Sequence, residues 1–153
     1  MKKTVYSTLT IAILSINVMA YDKAKADDLN KFYSHMTQEA CAKSKLFVKA
    51  KDTMKMIRDN NVTLIDVRTE SEVSVITLSG KNSMHIPIKD LFKKDNLDKI
   101  PRDKPIVIIC HSGTRAIFSA IGLKRIGFKN IHVLKGGLIA LAQANNTKNA
   151  PIK

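Results

Sequence analysis

The hexapeptide from Cys110 to Arg115, CHSGTR, places a thiol, a hydroxyl, a glycine and a guanidinium within six positions. A cysteine does chemistry as its thiolate, and thiolates form where amides, a helix N-terminus or a cation stabilise the negative charge. Ser112, Gly113 and Thr114 are compact enough for the loop to curl and turn several backbone amides inward as an anion cradle. Arg115 adds a positive charge at its edge. The implied chemistry is that of a nucleophilic Cys110 in a site that attracts anions. Asp66 and Arg68, in the segment VTLIDVR, form a second pair of chemistry-bearing residues.

Such a loop needs a strand before it and a helix after it. The residues just ahead of Cys110 are IVII, an aliphatic run with no polar alternation, as expected of a strand buried on both faces. After the loop, AIFSAIGLKRIG reads as a helix stopped by Gly127, and its amino end points unpaired N–H groups and a positive dipole back at Cys110. Further strands are expected at LFV, VTLID, MHIP and IHVL. A helix capped by Asp52 is expected through TMKMIRDN, and another through LIALAQA after the Gly136–Gly137 turn. Repeated strand and helix segments predict a parallel sheet covered on both faces. Cys110 and Asp66 then lie at the carboxyl ends of central strands, where open α/β sheets bind ligands. If those strands are neighbours, Asp66, Arg68 and Cys110 share one rim.

The 153 residues suit a single compact domain. With 44% hydrophobic and 25% charged residues, the composition is that of a globular protein, and neither disorder nor a disulfide scaffold is indicated. Residues 1–26 have the pattern of a secretory signal: a basic lead, MKKTVYS, an apolar run, TLTIAILSINVMA, and a small-x-small site ending at Ala26. Cleavage after Ala20 is the alternative. The apolar run is shorter than the ~20 residues that span a bilayer, so no stable membrane anchor is expected, and the location expected is periplasmic or secreted. Residues 27–45 read as a helical extension, 46–144 as the domain and 145–153 as a polar tail.

The formal net charge of +13 favours anionic ligands, and removing residues 1–26 leaves the chain strongly basic. The lysines are scattered, with no aromatic stacking set, so no nucleic-acid partner is expected. His35, His85, His111 and His132 lie on different segments without metal-ligand spacing, and no metal or other cofactor is expected. His111 either tunes the thiolate or faces solvent, while His85 and His132 read as structural residues. Cys41 reads as a spare thiol, with a disulfide or resolving role toward Cys110 left open.

The segments LIDVRTESE, HIP, DKPIVIICHSGTRA and LKRIGFKNIHVLKGGL together resemble a single-domain rhodanese, a thiosulfate-type sulfurtransferase, over about residues 46–142. The resemblance implies a three-layer rhodanese-like fold with a central five-stranded, mostly parallel sheet. It implies a catalytic Cys110 that carries a persulfide, residues His111 to Arg115 around the anion, and Asp66 and Arg68 as supports, with an Arg68–Glu72 ion pair as their alternative role. The implied partners are a small anionic sulfur donor such as thiosulfate and a thiol or cyanide-like acceptor. Two departures stand out: SVITLSGKNSMHIP lacks the family's first histidine, and Leu141 stands where an aromatic often follows the Gly-Gly turn. The crevice wall, and with it the donor, is therefore expected to differ. A non-catalytic binding or redox module is the main alternative. A phosphatase or arsenate reductase is disfavoured, because those resembling rhodanese have five residues between cysteine and arginine, and this chain has four.

Overall fold

A computed structural model describes residues 21–146. The basic lead and apolar run of the expected signal, up to residue 20, and the tail from residue 147 lie outside the described residues. The chain divides into two compact units at Thr37. In the first, helix α1 (Lys23–Tyr33) starts at Asp22, whose side chain accepts the Lys25 amide at 3.1 Å.

The second unit contains α2 (Gln38–Ala42), β1 (Phe47–Val48), α3 (Ala50–Arg58), β2 (Thr63–Asp66), α4 (Glu70–Val75) and β3 (Ser83–His85). It continues through α5 (Lys94–Leu97), β4 (Ile106–Ile109), α6 (Thr114–Arg125), β5 (Ile131–Leu134) and α7 (Gly137–Ala144). The five strands form one sheet in the order β1-β5-β4-β2-β3, every pair parallel. The two aliphatic runs are its interior: all four residues of β2 and all four of β4 are buried. Register pairs Ile65 with Ile108 and Ile108 with Val133, and sets Asp66 opposite Ile109, one residue short of Cys110.

Because side chains alternate along a strand, the sheet has two cores. Ile65, Ile106, Ile108 and Val133 point to one face, where Ala116, Ala120 and Leu123 of α6 cover them. Leu64, Val107, Ile109 and Leu134 point to the other, against Met56 and Ile57 of α3 and Leu138 and Leu141 of α7. Helices thus cover both faces, as expected.

Two local expectations are corrected. Helix α3 begins at Ala50 after an extended Lys49, so Asp52 lies in its first turn and does not cap it. There its charge favours the helix dipole instead. Helix α4 was not anticipated, although its start is written in Thr69-x-x-Glu72: the Thr69 hydroxyl accepts the Glu72 amide while the Glu72 carboxylate accepts the Thr69 amide at 3.0 Å.

Candidate active site

Cys110 follows β4 directly and is 1% exposed, at the floor of a loop that turns into α6. Gly113 makes the turn with φ +120°, a conformation open to glycine and costly for other residues. Its amide then donates to the Cys110 sulfur at 3.1 Å. One backbone donor of the expected cradle is therefore aimed at the thiol, and α6, starting at Thr114, directs its amino end at the same loop.

The other side of the loop is shaped by α7, a role that sequence reasoning missed. Gly136 and Gly137 adopt positive φ of +77° and +60°. The Leu138 amide donates to the Cys110 carbonyl at 2.8 Å, and the Ile139 amide to that of His111 at 3.4 Å. A Cβ on Gly137 would lie 2.6 Å from the Cys110 carbonyl oxygen and closer still to that of His111. The second glycine of the pair is thus a close-approach position, and the first N–H groups of α7 hold the Cys110 loop from outside.

Arg115, on the first turn of α6, makes a bidentate ion pair with Glu72 of α4, Nη1 to Oε2 at 2.6 Å and Nη2 to Oε1 at 2.7 Å. These hydrogen bonds, helped by the Thr69 amide, hold the Glu72 carboxyl well below the usual carboxylate range. The same pairing raises the Arg115 guanidinium, and the neighbouring Cys110 adds a smaller push in the same direction. Glu72 was not foreseen as a partner of Arg115, since the two are separated by 43 positions.

Asp66 and Arg68 are both buried and pair with each other, Nη2 to Oδ2 at 2.6 Å and Nε to both carboxylate oxygens at 3.0 Å. The expected alternative, an Arg68–Glu72 ion pair, is corrected: Arg68 reaches only the Glu72 backbone carbonyl at 3.4 Å, along with that of Ile76 at 2.7 Å. Arg68 therefore ties β2 to both ends of α4. His85 joins this network through Nε2 to the Arg68 carbonyl at 3.0 Å, and His132 bonds the Lys45 carbonyl through Nδ1 at 2.6 Å. Both are structural, as read. His111 is exposed and lines a cleft of 580 Å³ beside the loop, between α4 and α7. Ser112 is exposed too. Cys41 and Cys110 are both free thiols, Cys41 on the surface, so no disulfide joins them.

A strand-loop-helix cysteine in a five-stranded parallel sheet limits the candidate families, and one matches: the rhodanese-like domain model covers residues 49–144. The chain belongs to this family. The rhodanese-like domain is similar to a rhodanese-related protein from Thermoplasma volcanium, at 28% identity over 64% of this chain and 91% of that one, with a TM-score of 0.55. Its likeness to a human single-domain sulfurtransferase, 16% identical with a TM-score of 0.58 over 67% of this chain and all of that one, shows a shared fold. A curated relative, the tRNA uridine(34) hydroxylase of Pelagibacter ubique strain HTCC1062, is 32% identical over 85 residues, 56% of this chain. The chain spans 28% of that relative's length and 30% of the corresponding enzyme of Hamiltonella defensa.

Proposed function

We propose that this rhodanese-like domain is a sulfurtransferase that carries a sulfane sulfur on Cys110. The observation that carries the reading is the Gly113 amide on the Cys110 sulfur at 3.1 Å, in front of the α6 amino end and at the carboxyl edge of a central strand. The thiolate attacks the outer sulfur of thiosulfate or a related donor. A bond forms between the two sulfurs, the donor's sulfur–sulfur bond breaks, and sulfite leaves with the electron pair. The negative charge now rests on the outer sulfur of the persulfide, where loop amides and the helix dipole stabilise it. A thiophilic acceptor, a thiol or cyanide, removes that sulfur and regenerates the Cys110 thiolate. Asp66 and Arg68 act as positioning residues, because they brace the strand end and α4.

Incubation with thiosulfate and no acceptor should add the mass of one sulfur atom, mapped to the peptide containing Cys110, and cyanide should release it as thiocyanate. Cys110→Ser should never acquire the mass, whereas Cys41→Ser should. Sulfur mapped to Cys41, or normal labelling of Cys110→Ser, would overturn the reading.

We propose as well that the domain works in the periplasm or outside the cell, on the signal-like pattern of residues 1–26. The Asp22 cap favours cleavage after Ala20, since cleavage after Ala26 would remove the cap and first turn of α1. Amino-terminal sequencing of the exported protein should read Tyr21; a chain that keeps Met1 would count against export.

A further inference from the structure

Resting on the sulfur-transfer reading above, we infer that the site takes its sulfur from an organic persulfide with an aliphatic body in preference to a small inorganic dianion. The inference starts from charge. Arg115, the cation nearest the thiol on α6, is held by both Glu72 oxygens, so an incoming anion meets a nearly neutral pair. Arg68, the one lysine or arginine lining the adjacent cleft among the described residues, is paired with Asp66. Both guanidinium groups on this side of the loop are thus engaged before any substrate arrives, and a dianion would gain little charge-assisted binding there.

The cleft itself supplies the second half of the inference. Its walls are Val75 and Ile76 at the end of α4 and Leu138, Ile139 and Ala142 on α7, with His111 at the end next to Cys110. Val75 is 80% exposed, Ile76 57% and Ile139 43%, an apolar patch in a cleft that His111, the residue after Cys110, also lines. Val75 and Ile76 belong to the segment where the sequence departs from the family pattern. At 580 Å³ the cleft falls in the range of about 300–1,000 Å³ typical of small-molecule sites, far larger than an ion such as thiosulfate requires. An aliphatic chain lying along it would cover these side chains while its terminal sulfur reached the loop. With an alkyl persulfide, R–S–SH, the Cys110 thiolate bonds to the outer sulfur as the donor's S–S bond breaks. The electron pair leaves on the alkyl thiolate and the proton stays with the transferred sulfur, so no oxidant or reductant is consumed.

The test uses the full chain carrying Cys41→Ser, so that Cys110 is its one thiol, and measures single-turnover loading of Cys110 by intact mass. The donors are thiosulfate and ethyl, butyl and hexyl persulfide. Second-order loading rates should rise by about threefold for each added methylene until the cleft is filled. In Val75→Asn and Ile139→Asn, which remove apolar surface without adding charge, the ratio of hexyl persulfide to thiosulfate rates should fall by at least about fivefold. Both rates come from one sample, so the ratio is independent of the folded fraction. Loading by all donors with no chain-length dependence, or with a ratio unchanged in both variants, overturns this inference and leaves sulfur transfer standing. Failure of every donor to load Cys110 overturns sulfur transfer and this inference together.

Discussion

Glu72 and Arg115 meet through two parallel hydrogen bonds of 2.6 and 2.7 Å, joining the first turn of α4 to the first turn of α6 across the rim of the Cys110 loop. Each side chain is about a third exposed, so the pair is a geometric clamp more than a reservoir of stability. Its replacement by Glu72→Gln should lower unfolding stability by only about 1 kcal/mol, measured by urea denaturation. The freed Arg115 charge should raise the loading rate from thiosulfate several-fold relative to alkyl persulfides. A thiosulfate rate that falls in step with stability would mean that the clamp positions Arg115 for the anion and does not withhold it.

The same pair gives an acid-side signature. The folded carboxyl of Glu72 lies below its ordinary value, so the unfolded chain binds the proton more tightly. The stabilisation is complete above the unfolded carboxyl value of about 4.3 and is lost as pH falls below it toward the folded value. Unfolding free energy measured from pH 6 to pH 2 should therefore decline more steeply in the native chain than in Glu72→Gln. Parallel curves would remove Glu72 as the source.

The buried pair behaves differently. Asp66 and Arg68 are both almost inaccessible, and Arg68→Met would leave the Asp66 carboxylate without its cation. Breaking one side of such a pair costs about 3–5 kcal/mol. Asp66→Asn combined with Arg68→Met should recover part of the loss, because no uncompensated charge remains. A double variant that is less stable than Arg68→Met alone would show that the Asp66 carboxylate stabilises this corner without its cation, through the Arg68 amide it accepts at 3.1 Å.

Gly137→Ala should be far more damaging than Gly127→Ala. Both have positive φ, but a Cβ at Gly127 meets nothing within 4 Å, whereas at Gly137 it meets the backbone of Cys110 and His111. Strain from φ alone is worth about 1 kcal/mol, and the collision adds to it at Gly137. Thermal unfolding combined with the Cys110 loading rate should separate the two: Gly127→Ala lowers the melting temperature only, and Gly137→Ala lowers both.

The sequence carried the parts of this site that depend on local pattern. Ile106 to Ile109 could be read as a central strand because aliphatic runs without polar alternation have few other homes, and that placed Cys110 at a strand end. Gly113 and Thr114 marked the start of α6 for similar reasons. The Thr69-x-x-Glu72 box is a local signal, but the helix it opens has only six residues, too short for an apolar period to mark it. Glu72 with Arg115, and Gly137 with the Cys110 carbonyl, had no local signal: both contacts join residues that only the crossover connections of the sheet bring together. Asp52 was misplaced because a lysine in extended conformation, Lys49, precedes α3, and lysine carries no capping signature.

The hydrogen bond from the Leu138 amide to the Cys110 carbonyl also has a meaning in time. Synthesis runs from the amino end, so β4, the Cys110 loop and α6 are all made before α7. Until Gly137 arrives, the loop lacks the backbone that braces its outer side, and Cys110 is held only by the strand before it and the helix after it. A nascent chain therefore carries an unassembled Cys110 thiol while residues 111–137 are being added. The brace comes from a helix made after the loop, so a chain cut short before Gly137 would keep its cysteine and lack the backbone contact that holds the loop in place.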